Sequence, residues 1–83
     1  MMIIERRTAS EIKRWLTAYI ARERNVPESK IDPIRRLEAY GLDSVTVAVM
    51  TGDLEEWLGV SVEATLPYKY PTIEQLSIAL ATA

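Results

Sequence analysis

The chain of 83 residues contains no histidine, no cysteine and only three glycines. Without cysteine there is neither a disulfide framework nor a thiolate nucleophile, and without histidine the usual general base and the commonest metal ligand are both missing. These absences argue against a self-sufficient enzyme and against a metal site of its own. There is no long apolar run either. The stretch Met1–Ile4 meets Glu5, Arg6 and Arg7 at once, far too short for a signal segment or a membrane span. The expectation is a soluble, cytoplasmic protein with no membrane partner. What is present is ordinary globular composition, 48% hydrophobic and 27% charged, which argues against disorder. The length suits one domain over 1–83. A domain this small buries only a little over ~60% of its unfolded surface, so a fold of short-range contacts is the easiest solution.

The net charge of −2 hides an asymmetry. Residues 1–36 hold nine Lys/Arg against five Asp/Glu, and residues 37–83 hold Lys69 alone against seven acids, giving +4 and −6. The basic residues are scattered without interleaved stacking aromatics, so nucleic acid is not an expected partner. Two solvated faces explain the asymmetry; so does an acidic half that docks on basic partner enzymes.

Hydrophobic spacing predicts an all-α protein. Thr8 and Glu11 have capping-box spacing and precede Ile12, Trp15, Leu16, Tyr19 and Ile20, an i, i+3, i+4, i+7, i+8 stripe that predicts a helix over about 9–24. Asn25, Val26 and Pro27 end it. A long connection follows, with Val26, Ile31, Ile34 and Leu37 expected as its anchors on the core. Gly41 supplies a turn, Asp43 is a good N-cap, and a second helix is expected over about 44–58 with Gly59 closing it. Residues 65–70, broken by Pro67, allow at most one short helical turn. Thr72 and Gln75 repeat the capping-box spacing before a last helix over about 72–82. The sum is a small four-helix bundle, three helices longer and one short.

On the 44–58 helix, Val47, Met50, Leu54, Trp57 and Leu58 fall within an arc of about 100° and form the core stripe. The opposite side collects Val45, Ala48, Val49, Gly52, Glu55 and Glu56, small and apolar over its first two turns and acidic only at its end. Either the helix is packed on both sides, or this is a shallow docking surface that begins beside Ser44. Ser44 itself, after Gly41 and Asp43, reads as an ordinary first-turn residue unless its surroundings say otherwise.

Those surroundings are specific. Leu37-Glu38-Ala39-Tyr40-Gly41-Leu42-Asp43-Ser44 resembles the attachment motif of acyl carrier proteins, in which a Gly-x-Asp-Ser turn opens the second helix. The likeness continues through Gly52-Asp53-Leu54-Glu55-Glu56-Trp57-Leu58-Gly59, Thr65-Leu66-Pro67 and Tyr70-Pro71-Thr72-Ile73, similar to carrier domains of the polyketide-synthase type and especially those supplied by fatty acyl-AMP ligases. The resemblance covers about residues 9–81. It implies that Ser44 carries 4′-phosphopantetheine from coenzyme A, attached by a phosphopantetheinyl transferase that supplies base and magnesium. It also implies an acyl thioester on the arm, loaded by an acyl-AMP ligase or acyltransferase and delivered to a ketosynthase or other synthase domain of polyketide, fatty-acid or lipopeptide biosynthesis. Asp43 then caps the helix and assists the transferase at its metal, Gly41 permits the turn, and Leu42 and Leu37 pin the loop. Val47, Met50, Thr51, Leu54 and Ile73 become candidates for lining an acyl cavity, and Val45, Ala48, Val49, Gly52, Glu55 and Glu56 for the docking face.

The chain departs from the family pattern at Val45, where Leu is usual, and on the exposed helix face, where acids are common. Peptidyl carriers more often read Gly-Gly followed by His or Asp before the serine, so Tyr40-Gly41-Leu42-Asp43 favours acyl cargo. A peptidyl carrier of a nonribosomal pathway and a cofactor-free helical interaction module are the competing readings. A monomer is expected, and the start at Met1 with no linker sequence favours a free-standing protein.

Overall fold

A computed structural model describes residues 7–81. Among them are four α-helices: α1 Ala9–Arg24, α2 Ser44–Leu58, α3 Leu66–Lys69 and α4 Ile73–Ala81. The expected apolar stretch Met1–Ile4, the adjoining charges Glu5 and Arg6, and the expected helix end at 82 lie outside the described residues.

Helix α1 begins where its capping box closes. Thr8 Oγ1 accepts the Glu11 N–H at 3.1 Å, and the Glu11 carboxylate accepts the Thr8 N–H at 3.0 Å. That bond to the Thr8 N–H, ahead of the neighbouring Arg7 charge, holds the Glu11 carboxyl below its usual range. The helix ends at Asn25, which adopts the left-handed conformation at φ 56°. Ile12, Leu16 and Ile20 are fully buried, Tyr19 nearly so. Trp15, the remaining member of the stripe, is half-buried and stacks between Tyr19 and Trp57, with ring centroids 5.1 and 5.5 Å away. This stack joins α1 to the C-terminal end of α2.

The connection from α1 to α2 is more ordered than its sequence suggests. It contains two short 3₁₀ turns, Glu28–Lys30 and Leu37–Tyr40. Ile31 and Leu37 are buried as expected, but Val26 is exposed and Ile34 is 68% exposed. The loop achieves its anchoring at Pro33–Ile34 through the backbone instead: the Pro33 carbonyl accepts the Glu74 N–H at 3.0 Å, and the Asp32 carboxylate accepts the Ile34 N–H at 3.1 Å. An Asx turn at Asp32 is a sufficient local reason for the chain to reverse there without Ile34 in the core.

Helix α2 contributes Val47, Met50, Thr51 and Leu54 to the interior, and Trp57 and Leu58 are half-buried. The buried Thr51 hydroxyl donates to the Val47 carbonyl at 2.8 Å, and in α4 the buried Ser77 hydroxyl donates to the Ile73 carbonyl at 2.6 Å. Both interior hydroxyls are thereby satisfied within their own helices. Helix α4 packs along α1 through Ile73 and Leu76, which are fully buried. Its start is marked by Thr72, whose Oγ1 accepts the Gln75 N–H at 3.0 Å. The same hydroxyl donates to Gln75 Oε1 at 3.2 Å, so only half of the expected reciprocal box is formed by the backbone. Among the described residues there is no strand beyond an isolated bridge between Arg36 and Thr72.

Candidate functional site

The segment that leads into α2 is tied down at both ends. At its start, the Leu37 N–H donates to the Pro71 carbonyl at 2.7 Å, which fixes the 3₁₀ turn against the lead-in to α4. Within the turn, the Tyr40 hydroxyl donates to the Asp32 carbonyl at 2.6 Å and accepts the Asp32 N–H at 2.7 Å. One phenol thus closes the loop by both of its hydrogen-bonding capacities. Gly41 follows in the left-handed conformation, φ 71° and ψ 23°, where an L side chain is strained. Leu42 is half-buried against the core. The chain then extends at Asp43 and enters α2 at Ser44.

Asp43 Oδ1 accepts the Thr46 N–H at 2.7 Å, and the Asp43 carbonyl receives the first helical bond from Val47 at 3.0 Å. Bonding to the Thr46 N–H holds the Asp43 carboxyl below its usual range. Ser44 is the exposed first residue of a 15-residue helix. At that position the backbone N–H groups and the positive end of the helix dipole favour an attached anion. Among the described residues no side-chain base is hydrogen-bonded to the Ser44 hydroxyl.

Ser44 borders a cavity of about 210 Å³. Leu37, Leu42 and Val47 wall it from the α2 side, Pro67, Tyr68 and Pro71 from the α3 side, and Arg36 and Glu38 carry charge to it. Of the five residues expected as cavity lining, Val47 is the one that takes part. Met50, Thr51, Leu54 and Ile73 are buried in the interior. The sequence motifs include Pro67 and Pro71 without placing them opposite the serine, and they give no sign of Arg36, Glu38 and Tyr68 as neighbours of the site. The Leu37-to-Pro71 hydrogen bond is what brings the two distant segments together, and no local periodicity encodes it.

The expected docking face is open. Val45 is 70% exposed and Val49 53%, while Ala48, Gly52 and Glu56 are exposed as well. Packing of α2 on both sides is thereby excluded for these residues. Glu55 is different: its carboxylate accepts the Val62 N–H at 2.7 Å and holds the chain that leaves α2. Asp53 accepts the Tyr19 hydroxyl proton at 2.9 Å. Two of the acids on this helix therefore have structural partners.

Over residues 14–80 the chain matches the family described as the phosphopantetheine attachment site. It belongs to the phosphopantetheine-binding carrier proteins. The carrier is 36% identical to the acyl carrier protein TtuC of Teredinibacter turnerae over 74 residues, 89% of this chain and 85% of TtuC. It is 32% identical over 72 residues to one component of the phenolphthiocerol/phthiocerol polyketide synthase of Mycobacterium tuberculosis, covering 87% of this chain but 4% of that large protein. Among solved structures it is similar to a free-standing peptidyl carrier protein from an Acinetobacter baumannii secondary metabolic pathway, with TM-score 0.84, 32% identity and coverage of 90% and 94% of the two chains. The function is that of an acyl or peptidyl carrier, non-catalytic, whose attachment site takes 4′-phosphopantetheine covalently. Carriers of this family work with phosphopantetheinyl transferases and synthase domains. Among the described residues, no helix is long and apolar enough to cross a membrane.

The residues present fit this group. An exposed hydroxyl opens a capped helix, the cavity beside it is walled largely by apolar side chains, and Arg36 is among the residues that line it. When bound, the arm supplies the terminal thiol that the sequence itself lacks.

Proposed function

We propose that Ser44 is the attachment residue and that the protein is an acyl carrier of a polyketide-type or related lipid pathway in the cytoplasm. The observation that carries the reading is the position of Ser44: exposed, first in α2, at the end of the Gly41-Leu42-Asp43 turn and at the mouth of the cavity. In the loading step, Ser44 Oγ forms a new bond to the phosphorus next to the pantetheine half of coenzyme A. The bond from that phosphorus to the adenosine bisphosphate half breaks, and the hydroxyl proton leaves to a base on the transferase. Gly41 shapes the turn, Leu42 pins it, and Asp43 holds the first turn of the helix while staying exposed for the transferase's magnesium. An acyl-AMP ligase or acyltransferase then loads the arm, and a ketosynthase or other synthase domain takes the acyl group from it.

These partners would dock over Val45, Ala48, Val49 and Gly52, with Glu56 supplying charge. Glu55 supports this surface from its edge, because its carboxylate is held by the Val62 backbone. The expected result of incubating the protein with coenzyme A, magnesium and a promiscuous phosphopantetheinyl transferase is a gain in intact mass of one phosphopantetheinyl group in the wild type and none in Ser44→Ala. An unchanged wild-type mass with several transferases, or equal modification of the variant, would falsify the assignment.

Likeness to a peptidyl carrier at TM-score 0.84 supports a second reading, an aminoacyl cargo. Loading of the modified protein by fatty acyl adenylates in preference to aminoacyl adenylates supports the first reading, and the reverse preference supports the second.

A further inference from the structure

We infer that Arg36 binds the phosphodiester of the arm at Ser44, with Glu38 as the residue that positions it; this rests on the assignment of Ser44 above. Arg36 and Ser44 border the same cavity, and Arg36 is the sole cation among the described residues that line it. Attachment adds one negative charge at Ser44, next in the chain to Asp43 and on the cavity that Glu38 also lines. A cation on the same cavity offsets the charge that attachment adds there.

Arg36 is built to meet that need. Its backbone is fixed by the bridge to Thr72, and the next residue donates its N–H to Pro71 at 2.7 Å, so the base of the side chain is anchored. Its guanidinium is exposed, and Nε donates to Glu38 Oε1 at 2.8 Å. That bond uses one of the five donors of the group. The terminal nitrogens are the donors suited to two oxygens of a phosphodiester, a geometry that guanidinium matches and ammonium does not. An ion pair between residues two apart, both well exposed, contributes little to folding. Holding Arg36 on the cavity that it shares with Ser44 gives the pair a use that stability does not.

The test uses intact protein modified at Ser44, with mass spectrometry on the same samples. The phosphorus resonance is compared between wild type, Arg36→Gln and Arg36→Lys in low salt and at 1 M salt, and the side-chain Hε–Nε signal of Arg36 is followed in the wild type before and after modification. The expected result is a phosphorus resonance displaced between wild type and Arg36→Gln at low salt, with Arg36→Lys in between. That displacement collapses at 1 M salt, where the screening length falls to about 3 Å, and the Arg36 signal moves on modification. Coincident phosphorus resonances at low salt, a difference indifferent to salt, or an unmoved Arg36 signal each overturns the role of Arg36. A mass that never increases overturns the assignment of Ser44 instead, and this inference with it, so the two failures are told apart.

Discussion

Gly41 and Ser44 are three residues apart, and the first governs where the second points. At φ 71° Gly41 occupies a conformation that costs an L side chain about 1–2 kcal/mol. A Cβ built there would meet only the far end of Arg24 at 3.9 Å, an ordinary contact, so backbone strain and not crowding sets the penalty. Gly41→Ala should therefore lower stability by about 1 kcal/mol, which in a domain of this size moves the thermal midpoint by roughly 4–8 °C. It should also slow modification of Ser44, because relief of the strain re-aims the turn. A variant with unchanged melting and unchanged modification rate would show that the turn tolerates a side chain. The candidacy of Ser44 was legible in the sequence because a short motif points to it. Arg36 and Tyr68 were not, because their place beside Ser44 depends on a hydrogen bond between Leu37 and Pro71, residues in segments far apart along the chain.

Helix α2 carries both the proposed attachment position and the exposed face, so its first turn is expected to couple stability to function. The Asp43 carboxyl is held below its usual range by bonding to the Thr46 N–H, which means that its contribution is present above the unfolded carboxyl's pKa and lost as pH falls through the depressed folded value. Asp43→Ala should melt several degrees lower at neutral pH, and Asp43→Asn, which keeps an oxygen acceptor, should melt closer to wild type. On acidification the gap between wild type and Asp43→Asn should close; a gap that stays constant from neutral to strongly acid pH would deny the carboxylate its capping role. Further along, Ala48→Arg places a long cation on the open face between Val45 and Gly52. It should leave the thermal midpoint nearly unchanged and reduce modification and acyl loading by at least about tenfold, equivalent to 1.4 kcal/mol of lost binding. Full activity of that variant would move the docking surface elsewhere. These helices were legible because their caps and periodicities are local: Thr8 with Glu11, Asp43 with Thr46, and Thr72 with Gln75 all bond at the expected ends. The loop was less so. Hydrophobicity alone made Ile34 an anchor, whereas Asp32 and Pro33 hold that segment by hydrogen bonds and leave Ile34 exposed.

With so few residues, the molecule relies on a few contacts that join its helices across long stretches of chain. The Tyr19 hydroxyl on α1 and the Asp53 carboxylate on α2 form one, 34 residues apart and next to the stack of Trp15 on Trp57. Burial, reinforced by the bond to Asp53, pushes the Tyr19 phenol up to about 12. An unfolded tyrosine titrates near 10. Between those values the unfolded chain has lost the proton while the folded chain retains it, so the folded state binds more protons and its stability falls as pH rises. The stabilisation is complete below about pH 10 and gone once pH passes the folded value. Tyr19→Phe removes the titrating group together with its hydrogen bond, and it leaves Asp53 without that donor. At pH 8 the variant should unfold at lower urea than wild type. From pH 9.5 to 11.5 the wild-type midpoint should fall more steeply than the variant's, and the two curves should converge. Tyr40, Tyr68 and Tyr70 are common to both proteins, so their ionisation largely cancels in the difference. Parallel curves over that interval would mean that the junction of α1 and α2 does not hold the phenol neutral.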